Sequence, residues 1–250
     1  MMDVLQNTKA VLACLAIAAV AALGACQSNE AQPTSAQIES VAMTAGQLGA
    51  AKEERQLRQW ALQGLPVAQR ELGLLYRPRL ERRADAMQLF EQAARAGDTQ
   101  AAFQLGEMYR SAVVGVTPAP AKAWPWYQMA AEKKHPQAAL MLALLARNGE
   151  GVARDDAVAV KWLTVASDLG DAHAMFLLSN AYNDGQGVPR DAAKGRHMLE
   201  EAAEHDYPPA IQQLAMTVQT GDALSPKDEL RADHLLKEAN EHRHNNWNTF

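Results

Sequence analysis

Cysteine is almost missing from this chain. Two occur in 250 residues, Cys14 and Cys26, and both fall within the first 26 positions. Beyond them there is no thiol, hence no disulfide, no thiolate metal site and no cysteine nucleophile; the fold must hold by packing alone. Aromatic residues make up only 6%, and β-branched residues are sparse among the abundant alanine and leucine. That composition argues against strands and for helices whose small side chains let neighbours approach closely. Positive charge is not in excess either: a net charge of −5 offers no basic field for nucleic acid. No catalytic set can be assembled. Gly-x-Ser-x-Gly and His-Glu-x-x-His are absent. The paired acids Asp155-Asp156 and Glu200-Glu201 are chain neighbours, which do not face each other on a helix. His242 and His244 stand in a polar tail without further paired ligands. The expectation is therefore a non-enzyme with no catalytic residues, cofactor or metal.

One apolar run is present, Ala10 to Leu23, shorter than the roughly 20 residues a spanning helix needs. It follows a weakly basic start with Lys9 and ends among small residues, as a cleaved export signal requires. Leu23-Gly24-Ala25-Cys26 resembles the lipobox of bacterial lipoproteins. The resemblance implies a signal peptide over 1–25, lipidation of Cys26, and anchoring through several acyl chains, since one chain alone is marginal. Gln27 stands where aspartate typically marks inner-membrane retention in that family, which implies the periplasmic face of the outer membrane. Residues 26–39 then read as the lipidated cysteine and a flexible polar tether.

Internal periodicity is the strongest signal. Ala68, Ala101, Ala138, Ala174 and Ala210 are each followed four residues later by leucine, at spacings of 33, 37, 36 and 36. A small residue comes next (Gly73, Gly106, Ala143, Ser179, Ala215), and three residues further on stands Tyr76, Tyr109, Ala146, Tyr182 or Val218. Offsets of four and eight share one helical face. A second helix follows in every unit, with stripes such as Ala86, Phe90 and Ala93, or Ala159, Leu163 and Ala166. Gly97 and Gly170 are placed to close helices, and Asp98 and Asp171 to open the next ones. Gly149-Glu150-Gly151-Val152 and Gly185-Gln186-Gly187-Val188 link the helices of two units, with Asp155 and Asp191 as N-caps. No strand pattern precedes these loops, so they read as linkers and not as phosphate loops.

Ala174-x-x-x-Leu178, Tyr182-x-x-Gly185-x-Gly187-Val188-x-x-Asp191-x-x-Lys194 resembles the Sel-one-like repeat (SLR), a relative of the tetratricopeptide repeat. Lys122-Ala123-x-x-Trp126-Tyr127-x-x-Ala130-Ala131 resembles its second helix. The resemblance implies an all-α, right-handed superhelical solenoid of about five antiparallel helix-pair repeats. The units fall at about 66–97, 98–135, 136–170, 171–206 and 207–241, after a capping helix within 40–65 and before a polar tail at 242–250. Leu57 precedes Ala68 by eleven residues, as Phe90 precedes Ala101, so the capping segment reads as a degraded second helix.

Counted from each alanine, offsets +2, +6 and +9 correspond to the groove of tetratricopeptide-type proteins. The candidate groove residues are Arg70, Arg77, Phe103, Glu107, Arg110, Leu140, Leu144, Arg147, Phe176, Asn180 and Asn183. Arg77, Arg110 and Arg147 form a ladder able to take carboxylates of a partner segment, beside an apolar strip of Phe103, Leu140 and Phe176. Arginine in the last helical turn and phenylalanine between units also have ordinary packing roles. The expected function is a lipid-anchored, periplasmic protein–protein interaction scaffold or adaptor. It would bind an envelope protein or peptide segment, with the membrane met only through the N-terminal lipid. The alternatives are a pilotin-like assembly chaperone for a secretin or pilus component, or a cell-wall enzyme or its regulator.

Overall fold

The structure, a computed structural model, describes residues 32–111, 118–224 and 226–246. Every regular element among them is helical: α1 (Ser35–Leu48), α2 (Ala51–Leu62), α3 (Pro66–Tyr76), a 3-10 turn (Leu80–Arg82), α4 (Arg83–Arg95), α5 (Thr99–Arg110), α6 (Pro120–Glu132), α7 (Pro136–Asn148), α8 (Asp156–Asp168), α9 (Ala172–Asp184), α10 (Ala192–Glu204), α11 (Pro208–Thr220) and α12 (Glu229–Asn246).

Two compact units divide at Gln37/Ile38. Of the first, residues 32–37 are described, and they hold a capping box. Thr34 Oγ1 accepts from Gln37 N at 3.3 Å, and Gln37 Oε1 accepts from Thr34 N at 2.8 Å. This reciprocal pair starts α1 at Ser35. Helix thus begins inside the stretch 26–39 expected as a tether, and the segment 40–65 holds parts of two helices where one was expected. Cys26 and the candidate signal lie outside the described residues.

The second unit is an all-α solenoid. Each helix packs on its chain neighbours: α3 on α4, α5 on α6, α7 on α8, α9 on α10 and α11 on α12 within a repeat, and each second helix on the first helix of the next repeat. The five repeat alanines are fully buried, and the leucines that follow them, Leu72, Leu105, Leu142, Leu178 and Leu214, are at most 3% exposed. Burying each such leucine is worth about 2 kcal/mol. The core is wider than offsets 0, +4, +5 and +8. Ala102, Ala139, Met175 and Ile211 at +1 are buried, as are Met108 and Leu145 at +7. The reason is that a first helix meets its own partner on one side and the preceding second helix on the other. Tyr109 and Tyr182, by contrast, are only half buried.

Loops repeat as faithfully as helices. Asp98, Asp171 and Asp191 each accept from a first-turn backbone N–H at 2.8–3.0 Å, and Asp155 accepts from two. Asp228 does the same for α12. The position four before each repeat alanine is left-handed in all five units: Gly64, Gly97, Lys134, Gly170 and Asp206, with φ from 58° to 102°. Gly149 and Gly185 are left-handed C-caps. Gly151 and Gly187 are left-handed too, but they also sit hard against the backbone at the start of the preceding repeat's second helix, at Ala121 and Asp156. The Gly-x-Gly loop therefore both closes one repeat and abuts the one before it. Helix α12 continues through Asn246, into the segment expected as a polar tail from 242.

Candidate functional site

On the first helices α3, α5, α7, α9 and α11 the +2, +6 and +9 positions flank the buried stripe: Leu140 lies in the core, and Leu74, Phe103 and Leu144 pack against it. The +2 side chains meet the next repeat. Arg70 Nη1 pairs with Asp98 Oδ2 at 3.0 Å, Phe103 stacks on His135 with ring centroids 4.7 Å apart, and Phe176 meets Tyr207 at 5.5 Å. Asp98, His135 and Tyr207 all stand three residues before a repeat alanine, at the mouth of the next first helix. Leu140, the remaining member, is buried. The apolar strip expected over Phe103, Leu140 and Phe176 is thus largely consumed in joining one repeat to the next.

Arg70 is further tied to Glu71 at 2.8 Å and Glu39 at 2.7 Å. Burial opposes its charge, but these carboxylates and Asp98 outweigh it and raise the guanidinium's pKa. His135 shows why a non-acidic residue can open α7. Its Nδ1 accepts from Ala138 N at 3.2 Å while Nε2 meets Gln100 Oε1 at 2.9 Å, so the ring serves as a neutral N-cap. Burial lowers its pKa accordingly.

The arginines at +9 have three different surroundings. Arg77 is exposed and donates to Gln104 on α5. Arg110 is closed onto its own helix, with Nη2 on Glu107 Oε2 at 2.9 Å and Nε within 3.3 Å of the Tyr127 hydroxyl. Tyr127 in turn donates to Glu107 Oε1 at 2.5 Å. The bond to Glu107 raises the Arg110 pKa, and burial followed by that same carboxylate raises Tyr127's. Arg147 is half buried, has no ion-pair partner among the described residues, and its charge helps lower the pKa of His173, whose main cause is burial. At the same offset Asn183 packs its side chain over Gly195 of α10. At +6, Leu74, Leu144 and Asn180 are half buried and Met216 is 60% exposed.

The open face is therefore narrower than eleven residues. Leu144 and Arg147 on α7 and Asn180 on α9 are half buried, whereas Glu107 and Arg110 neutralise each other. Among the described residues no cluster of three His, Cys, Asp or Glu could hold a metal, and no helix is long and apolar enough to cross a membrane. One polar feature escaped the offset reading: Gln69 occupies a +1 position that is apolar in every later repeat, and it is buried with its Oε1 lacking a partner.

Five stacked helix pairs with an open face of first helices define a repeat scaffold. The Sel1 repeat matches residues 66–98, 99–135, 136–171 and 172–207, more than half of the chain, and the chain belongs to the Sel1 repeat family. The fifth pair, α11 and α12, extends the stack beyond those matches. A Sel1 repeat protein from Oxalobacter formigenes is similar at 23% identity and TM-score 0.68, over 85% of this chain and 88% of that one. A protective antigen of uropathogenic Escherichia coli with an SLR fold is similar at 25% identity and TM-score 0.71, over 83% of this chain but 46% of that one. An immunity protein from Pseudomonas aeruginosa shares the fold at 18% identity and TM-score 0.52, over 85% and 83% of the two chains. No curated protein matches. Sel1 repeats act as protein-interaction scaffolds and are generally non-catalytic.

Proposed function

We propose that this protein is a lipid-anchored scaffold of the bacterial periplasm, held to the outer membrane through Cys26, that receives a segment of another envelope protein along α7 and α9. The observation that carries the reading is the pairing of Leu144 and Arg147, one turn apart on the open face of α7. Leu144 packs against the core and leaves part of its apolar surface exposed, and Arg147 is a cation without an ion-pair partner among the described residues. Such a pair suits an apolar side chain followed by a carboxylate on an extended or helical partner segment. Asn180 on the neighbouring α9 adds a side-chain amide. The anchor rests on Leu23-Gly24-Ala25-Cys26 and on the polar residues that follow.

Photo-crosslinking residues introduced singly at Leu144, Asn180 and Met216 in the native envelope test the face, with Asp168 on a second helix as the control. One envelope protein captured from the first-helix positions and not from Asp168 is expected. Equal capture from both faces would remove the proposal. A captured secretin would make the scaffold an assembly chaperone. Labelling with palmitate that disappears in Cys26→Ser tests the anchor separately.

A further inference from the structure

The loop that follows α3 departs from those of later repeats. In the third and fourth repeats its apolar residue is Val152 or Val188, and each packs against the core. The first repeat shortens the loop to Arg77-Pro78-Arg79-Leu80, and Leu80 is 56% exposed. A second leucine stands out at the same end of α3. Leu48 closes α1 and is 77% exposed. Two residues before it, a Cβ on Gly46 would lie 4.0 Å from Leu75 Cδ1. Shortly after it, Glu54 of α2 accepts from Arg79 Nη1 at 3.2 Å. Leu48 is thus held between two segments that both meet the C-terminal end of α3, where Leu80 emerges.

Cations gather around the two leucines. Arg77, Arg79, Arg82 and Arg83 flank Leu80, and Glu81 is the one acid among them. The first turns of α2 add Lys52, Arg55 and Arg58 against Glu53 and Glu54. Part of this charge is matched: Glu54 takes Arg58 and Arg79, and Asp85 takes Arg82. The rest is not. Arg77 donates to Gln104 Oε1 and Arg83 to Arg77 O, both neutral oxygens. Lys52 and Arg55 are exposed, and neither has an ion-pair partner among the described residues. Seven cations against four carboxylates leave an excess of three positive charges, in a chain whose net charge is −5.

A single exposed leucine is ordinary. Two at one end of a repeat, among unmatched cations, form a surface with a definite complement. Leucine gains by leaving water, and long basic side chains can follow it while keeping their charged ends at an anionic layer. A polyanion such as nucleic acid would leave both leucines in water. A bilayer of anionic phospholipid satisfies both kinds of side chain. No helix among the described residues is long and apolar enough to cross a membrane, so the contact is with the bilayer surface.

We propose that this end of the first repeat lies on an anionic phospholipid bilayer. Leu48 and Leu80 enter the acyl boundary, and Lys52, Arg55, Arg77 and Arg83 meet lipid phosphates. The contact does not require lipidation of Cys26, and it uses none of the residues offered to a partner on α7 and α9.

Full-length protein with one photo-crosslinking residue at Leu48, Leu80 or Leu62 tests it. Leu62, 82% exposed at the far end of α2, is the control. Each protein is mixed with vesicles of phosphatidylethanolamine and phosphatidylglycerol, floated, irradiated and analysed by mass spectrometry. Phospholipid adducts are expected at Leu48 and Leu80, at least fivefold above Leu62. Vesicles of phosphatidylcholine alone should lower them at least fivefold, and so should Arg55→Glu combined with Arg77→Glu. Both arginines are exposed, so the thermal midpoint of that variant should stay unchanged. Adducts should persist in Cys26→Ser, which separates this contact from the lipid anchor. Absent adducts, equal adducts at Leu62, yields indifferent to lipid charge or to the two arginines, or loss in Cys26→Ser would overturn the proposal. Irradiation in the native envelope that joins Leu80 to a protein and to no phospholipid would overturn it too, and would assign this end to a protein partner.

Discussion

The ring of Phe90 fills the space where a side chain on Gly73 would begin: a Cβ there would lie 2.7 Å from the ring. Tyr127 stands over Gly106 in the same way, at 2.6 Å. Where the second helix carries leucine instead, at Leu163 and Leu199, the facing residues are Ala143 and Ser179, both buried. Ring and glycine are thus one packing choice, and leucine and a small side chain are the other.

Gly73→Ala should destabilise by about 1–3 kcal/mol, since the ring cannot retreat without straining a filled core. The double variant Gly73→Ala/Phe90→Leu rebuilds the arrangement of the third repeat and should recover most of that loss. Chemical denaturation of the three variants and wild type measures the coupling; strict additivity would contradict the pairing.

Lys134 is left-handed, at φ 65°, in the position that three other repeats give to glycine. Its side chain is exposed. Lys134→Gly should therefore stabilise by about 1 kcal/mol, relieving the steric cost of that conformation. A lower denaturation midpoint in Lys134→Gly would contradict this.

Burial lowers the pKa of His135 below its ordinary 6.5, and its Nδ1 must stay unprotonated to cap α7. Between the folded and unfolded pKa values the unfolded chain binds the extra proton. Stability is then fully present above 6.5 and is lost as pH falls from 6.5 through the folded value. His173 shifts in the same direction, chiefly through burial. The thermal midpoint should drop between pH 7.5 and pH 5, and His135→Asn, which keeps a capping oxygen, should show a smaller drop. Identical pH profiles would contradict the assignment.

Within one loop, two glycines differ. A Cβ on Gly149 would make an ordinary contact with Arg154 at 3.4 Å, whereas one on Gly151 would run into the backbone of Ala121. Gly149→Ala should cost about 1–2 kcal/mol for its left-handed backbone alone. Gly151→Ala should cost more, because the preceding repeat must also shift. Comparing their melting curves tests whether the loop is a joint between repeats.

Much of this was readable beforehand. Alanine and leucine at 0 and +4 announced the buried face because helical period and burial are local consequences of spacing. Aspartate caps and glycine turns were equally local. The breadth of the core at +1 and +7 was not, since it depends on two flanking helices at once. Nor was the use of Arg70, Phe103 and Phe176 as contacts to the next repeat, because their partners lie 28 to 32 positions away.

The first-helix ladder shows the same limit. Arg77, Arg110 and Arg147 share one offset, yet Glu107 and Tyr127 close around Arg110, while Arg77 and Arg147 have no ion pair among the described residues. Offset gives direction from the helix axis; charge availability is set by whatever neighbour reaches the same point.

By itself the sequence determined the helix pairs from residue 66 onward and their order, because a period of about 36 residues with small and apolar positions buries each stripe by stacking neighbouring pairs. Gln69 could be seen to differ from its equivalents, but not why. Only the tertiary structure decided that Gln69 meets Ala61 and Gln92, since three helices must close together before those partners come within its reach.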